Sequence, residues 1–302
     1  MNRIILSVIV FLTSLAVNAQ FYVSASNGYS FEAAGVQFGT KTTTSGVENT
    51  YGSYGEGSHF QLRTGYFFNK SWGIEIAGGY LNGADQSMLL VDVPNQPFVD
   101  VKARGRAFGL SVSTVYNITE NFYGRAGILT KVGGKTELVG KVRAELPAAI
   151  LNPAAPAGAT VPLNMDFTRD FKGKFPIGFI GAIGYKHAIT KNLELFGEVE
   201  YLGISVTRDV SEIGDFTATI AGQPATRAQL LQTVGGNPAL LQSFGTLLPL
   251  INDKISYEDS LTLAEYADAQ TNPLARKQLA ENAPYSSWGL NIGITYIFGK
   301  RK

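Results

Sequence analysis

The sequence contains no cysteine. Disulfides, thiolate metal sites and cysteine nucleophiles are thereby excluded together. Charge is also in short supply: Asp, Glu, Lys and Arg make up 16% of the chain, against a usual share of about 25%. Lys plus Arg number 25 and Asp plus Glu 24, so there is no excess of basic charge of the kind that marks nucleic-acid binding. Low charge combined with many aromatics excludes a disordered chain. Present instead are 34 glycines, 18 Phe, 14 Tyr and 2 Trp, with apolar residues at 45%. Such a composition leans towards β-structure in an unusual solvent. The 302 residues match about two average domains of roughly 150 each, although an all-β barrel can use 200–250 as one unit.

The first residues read as an address. Met1-Asn2-Arg3 supplies one positive charge, Ile4 to Val17 is a mostly apolar run of 14 residues, and Val17-Asn18-Ala19 places small side chains before Gln20. Together these describe a secretory signal peptide over residues 1–19, cleaved after Ala19. A spanning helix would need about 20 apolar residues, and strand-like sequence already begins at Phe21. No cysteine follows the cleavage site, so lipoprotein anchoring is excluded. Loss of Arg3 brings the 25 basic side chains to 24, equal to the acidic ones, and the exported chain is neutral.

From residue 20 onward, period-two alternation recurs in eight segments. Phe21, Val23, Ala25, Tyr29 and Phe31 oppose Tyr22, Ser24, Ser26, Ser30 and Glu32; Phe60, Leu62, Tyr66 and Phe68 oppose His59, Gln61, Arg63 and Gly65. Trp72, Ile74, Ile76 and Tyr80 oppose Glu75, Ala77 and Gly79, and Phe108, Leu110, Val112 and Tyr116 oppose Ser111, Ser113 and Asn117. In the second half Phe122, Ala126 and Ile128 face away from Tyr123, Arg125 and Lys131. Phe175, Ile177, Phe179, Ile183 and Tyr185 face away from Lys174, Gly178, Ala182 and Lys186. Leu193, Leu195, Val199 and Tyr201 oppose Glu194, Glu198 and Glu200; Trp288, Leu290, Ile292, Ile294, Tyr296 and Phe298 oppose Ser287, Asn291 and Thr295. Three links are tight, at Asn69-Lys70, Ile118 to Asn121 and Ile189 to Asn192, and four are long, over about 34–56, 83–98, 137–168 and 207–285. Short links on one side and long ones on the other are how a transmembrane barrel threads.

The apolar faces decide between a membrane barrel and an eight-stranded soluble cup. Their ends carry Phe21, Phe31, Phe60, Phe68, Trp72, Tyr80, Phe108, Tyr116, Trp288 and Phe298. Two aromatic girdles about 25 Å apart are the mark of a lipid-facing band. The opposite faces carry Glu32, Arg63, Glu75, Arg125, Lys131, Lys174, Lys186, Glu194, Glu198 and Glu200, which could not line an oily cup but can pair inside a narrow lumen. The spacing predicts an all-β fold: an eight-stranded antiparallel transmembrane barrel over residues 20–302, with short periplasmic turns and long extracellular loops.

On these features, and on the closing segment Trp288 to Phe298, the chain resembles the small eight-stranded outer-membrane barrels, the group with the OmpA membrane domain, OmpX and OmpW. The resemblance covers about residues 20–302 and implies an integral outer-membrane protein of a Gram-negative-type envelope. It implies as partners outer-membrane lipids and lipopolysaccharide, periplasmic chaperones and the barrel-assembly machinery, with a monomeric state and no cofactor. Phe298 stands where family members often end on an aromatic residue, with Gly299 to Lys302 following it.

The fourth long loop, 207–285, carries helix signals. Thr226 with Gln229 forms a capping-box pattern, Asn237-Pro238 opens an apolar run, and Ser260 and Asn272-Pro273 are further helix starts. This insert is either a lid or plug for a hydrophobic ligand or a self-packed surface cap. Gly133-Gly134-Lys135-Thr136 resembles a phosphate loop, but that motif needs glycine where Leu129 stands. His59 and His187 fall at opposite ends of the threading, so they share no metal. A barrel hydrolase would need His59 beside a serine and a carboxylate at the outer rim. Glu198 and Glu200 lie on one lumen face, where an ion-pair network outweighs acid–base catalysis as a reading. The strand phase predicts that Arg63 or Arg125 reaches at least one of Glu75, Glu198 and Glu200. The expected role is non-enzymatic, in envelope structure or surface interaction; the alternatives are a narrow path for small hydrophobic molecules and a lipid-modifying enzyme.

Overall fold

The computed structural model describes residues 20–33 and 35–298. The expected signal peptide over 1–19 and the closing Gly299 to Lys302 lie outside them. The described chain is all-β, its strands joined into one seventeen-stranded sheet.

Eight of the strands pair in a cycle. They are β1 (Gln20–Glu32), β2 (Gly57–Phe67), β3 (Trp72–Gly83), β4 (Phe98–Asn117), β5 (Phe122–Pro147), β6 (Gly178–Ala188), β7 (Leu193–Gly203) and β8 (Ser287–Phe298). Each runs antiparallel to the next. β8 then pairs with β1 from Phe21↔Phe298 to Glu32↔Ser287, so the pairing returns to its start. Three tight turns close one end. Asn69 Oδ1 accepts from the amides of Ser71 and Trp72, both at 2.8 Å. Thr119 and Thr190 use their hydroxyls in the same way, accepting from Asn121 and Phe122 and from Asn192 and Leu193. Short polar side chains that bond their own backbone two or three residues on are what reverse a chain in so few residues.

At the other end the expectation of eight strands and four loops is corrected. The long connections themselves carry strands. Residues Val36–Thr43 and Gly46–Gly52 form a hairpin that also pairs in parallel with Gln86–Asp92. β5 runs on to Pro147 and is joined by Thr160–Gly173 and Ser205–Ile220, giving a tall crown sheet. The reason these strands escape a simple alternation count lies in β5. Phe108 pairs with Gly133 and Gly109 with Lys131, leaving Val132 as an extra residue. Below this bulge the odd positions Tyr123 and Arg125 are buried; above it the even positions Leu138, Val142, Ala144 and Leu146 are. One inserted residue exchanges the two faces. Gly134 follows the bulge at φ +90°, and a Cβ there would lie 1.9 Å from the carbonyl oxygen of Arg106. The glycine pair that resembled a phosphate loop is this bulge.

The crown has its own apolar core, in which Val142, Leu146, Leu163, Met165 and Phe167 pack with Leu230, Val234, Leu240, Leu248 and Ile251 of the fourth connection. Helix α1 (Arg227–Gly235) starts at a full capping box of Thr226 and Gln229. Helix α2 (Pro238–Phe244) follows Asn237, whose Oδ1 accepts from the Leu240 amide. Helix α3 (Leu263–Thr271) is capped by Thr262 with Glu265 rather than by Ser260, and Asn272 ends it instead of starting another. Arg169, 1% exposed, ties the core together through Ser211 and the carbonyl of Asn252 at 2.7 Å.

Candidate functional site

The inward faces of the eight paired strands enclose a lumen, and alternation delivers polar side chains to it. At mid-depth five charged residues from four strands meet: Arg63 (β2), Glu75 (β3), Arg125 (β5), and Glu198 and Glu200 (β7). Arg63 holds Glu198 with both terminal nitrogens, one of them at 3.0 Å from Oε2. Arg125 reaches Glu198 at 2.9 Å, Glu75 at 3.4 Å and Glu200. Their side chains are 0–5% exposed. Tyr22 donates to Glu75 at 2.8 Å, Tyr123 to Glu198 at 2.7 Å and Gln61 to Glu200 at 3.0 Å. An ion taken out of water loses several kcal/mol of hydration unless other groups replace that shell; here neutral donors complete what the guanidinium groups leave open.

The network also fixes a histidine. Asn291 donates its amide nitrogen to Glu198 at 3.0 Å, which turns its oxygen towards His59 Nε2 at 2.6 Å. Nε2 of His59 therefore donates to Asn291, and Nδ1 lies 3.1 Å from the Ser30 hydroxyl. The orienting group is a neutral amide, and no carboxylate touches His59 among the described residues. A carboxylate would stabilise an imidazolium formed during acyl transfer; Asn291 orients the ring without supplying that charge.

The cluster divides the lumen. Towards the turns lies a cavity of about 760 Å³ lined by Lys70, Glu75, Asn121, Lys186 and Glu194 among others. Towards the crown lies a smaller one of about 110 Å³. Among the described residues the two share no lining side chain, and none of residues 226–271, the helical part of the fourth connection, lines either.

The remaining lysines and Glu194 are placed apart from the cluster. Glu194 is buried on β7, nearer the turns. Lys186 donates to Asn117 at 2.8 Å and lies over the rings of Phe67 and Tyr123. Lys131 stands over the Tyr285 ring at the crown end. Lys174 is a correction: residues 174–177 are not strand, because Pro176 lacks the amide that a ladder needs, and Lys174 pairs with Asp259 at 2.7 Å. Glu32 stands exposed at the outer end of β1.

Outside, the faces are apolar and open. Ile292 is 70% exposed, Ile183 66%, Ile128 64% and Leu62 57%. Aromatic contacts form a row at each end of this band. Phe21–Phe298 (5.3 Å), Trp72–Tyr116 (4.6 Å) and Phe122–Tyr185 (5.1 Å) lie at the turn end. Tyr80–Phe108 (4.8 Å) and Phe179–Tyr201–Trp288 (5.6 and 4.7 Å) lie at the crown end. Phe31 and Phe60 are exposed near that second row. Phe68 falls one residue beyond the end of β2, half-buried in the turn.

No protein-family model and no curated protein matches the sequence. Solved structures similar to the chain include a major outer membrane protein from Thermus thermophilus, at 12% identity and a TM-score of 0.39, covering 93% of this chain and 99% of that one. Others are CarO2 of Acinetobacter baumannii, at 14% identity and 0.31 over 92% and 99%, and the attachment invasion locus protein Ail of Yersinia pestis, at 9% and 0.28 over 93% and 97%.

Proposed function

We propose that the chain is an integral outer-membrane protein: β1–β8 cross the bilayer as an antiparallel barrel, the three tight turns face the periplasm and the crown faces outward. One observation carries this reading. The paired strands put bare isoleucine, leucine and valine between two aromatic rows on the outside and ion pairs on the inside, the reverse of a soluble protein. In water that band would be an exposed apolar surface far larger than the few hundred Å² a soluble monomer tolerates.

The protein's role in the envelope is structural or surface-interacting and non-enzymatic. The charged cluster fills the lumen at mid-depth and the lipid band is closed, which leaves the crown as the part able to meet other molecules. The test is twofold. The folded protein should migrate differently on gels before and after boiling, stay with the membrane in carbonate, and give no stable conductance in planar bilayers. Release by carbonate with unchanged mobility would refute the membrane placement. Steady conductance steps would refute the occluded lumen and favour a transport role.

A further inference from the structure

The smaller cavity lies between the charged cluster and the crown. Ala77, Ala107, Leu129, Ile180, Ile204 and Val206 give it apolar walls, and no carboxylate among the described residues lines it. Of the described Lys and Arg residues, Lys131 alone does. Its Nζ rests 5.2 Å from the centroid of Tyr285, and among the described residues it has no carboxylate within ion-pair distance. A half-buried cation beside an apolar space is left without the protein carboxylate that would offset its lost hydration. Tyr285 spends its hydroxyl on Thr136 at 2.6 Å and offers only its ring.

The floor of the cavity sets the direction of any occupant. Gln61 lies there with its amide on Glu200, above a cluster in which three carboxylates face two guanidinium groups. A negative head is repelled from that end and attracted to Lys131. A volume of about 110 Å³ is somewhat smaller than the ~150 Å³ that accommodates a benzene ring, enough for a tail of about five carbons. We propose that this cavity binds a short-chain carboxylate, its head on Lys131 at the crown end and its alkyl tail against Ala77, Leu129 and Ile180. The site needs the closed strand cycle and is independent of which solvent surrounds it.

The probe is hexanoate, with 1-hexanol as its uncharged counterpart, added to the full-length protein in nanodiscs while the Ile180 methyl resonances are followed. Saturable shifts with hexanoate, at least tenfold weaker with hexanol, are expected. Lys131→Met should lower hexanoate affinity at least tenfold and leave hexanol unchanged. Gly109→Val should abolish both: a Cβ at Gly109 points into the cavity and meets nothing closer than the Thr130 carbonyl oxygen at 3.7 Å. Gel mobility of unboiled samples reports that each variant is folded. Equal binding of acid and alcohol to the parent, an unaltered affinity in Lys131→Met, or no shift at all would overturn the proposal.

Discussion

Glu198 accepts from Arg63, Arg125, Tyr123 and Asn291 at once, and is more fully surrounded than either Glu75 or Glu200 beside it. Such a site is held by its partners' charge, so the cost of losing one partner exceeds that of losing one hydrogen bond. Arg125→Ala would leave Glu75, Glu198 and Glu200 facing Arg63 alone. It should destabilise the protein by about 3–5 kcal/mol in urea unfolding from liposomes. Adding Glu200→Gln to that variant should return part of the loss, since the second change removes an unpaired charge instead of a partner. An Arg125→Ala protein that unfolds like the parent would mean that water reaches the cluster. Alternation alone put these five residues on the inward faces. Which guanidinium meets which carboxylate depends on the stagger between strands, and a period of two says nothing about stagger.

At the scale of elements, the outward faces of β1–β8 were legible because one rule, apolar side chains outward and exposed, holds along the whole length of each strand. The crown was not, because its strands obey another. Beyond Val132 the buried face of β5 changes parity, and a count continued in phase from Phe122 reads the crown's core as surface. Lys174 was misplaced for a related reason: the alternation continues through Phe175 and Ile177, although Pro176 has ended the ladder. Helix α3 did carry a readable signal, since Thr262 and Glu265 satisfy the capping box that Ser260 lacks. The bulge is testable through its glycines. Gly134→Ala forces a Cβ into the Arg106 carbonyl at positive φ and should cost about 1–3 kcal/mol. Gly133→Ala, with the Phe108 side chain 3.7 Å away as its nearest neighbour, should cost far less.

The cap of α3 makes a prediction in pH. The hydrogen bond from Lys277, followed by those from Thr262, holds the Glu265 carboxyl down to about 2, from an ordinary 4.5. A depressed folded-state value means that the contribution is complete above the ordinary value and is lost as pH falls through about 2. The Glu265 carboxyl carbon resonance should therefore titrate near 2, and Lys277→Met should move its midpoint up towards 4.5. A parent midpoint near 4.5 would show that the cap is not formed.

For the whole molecule, the proposed placement divides one chain between two solvents: a band of strands in lipid around a buried charged centre, and a crown with a core of its own in water. The two tryptophans of the chain report on that division. Trp72 lies in the aromatic row at the turns and Trp288 in the row at the crown, 51% exposed and in tilted contact with Tyr201. The rows are about 25 Å apart if they bracket a hydrocarbon core. Fluorescence of single-tryptophan variants, Trp288→Phe and Trp72→Phe, in vesicles of lipids brominated at successive depths measures both positions. The account predicts strong quenching of each, greatest for bromines near the headgroups and weaker towards the bilayer centre. Tryptophans quenched by aqueous iodide and untouched by brominated lipid would contradict it.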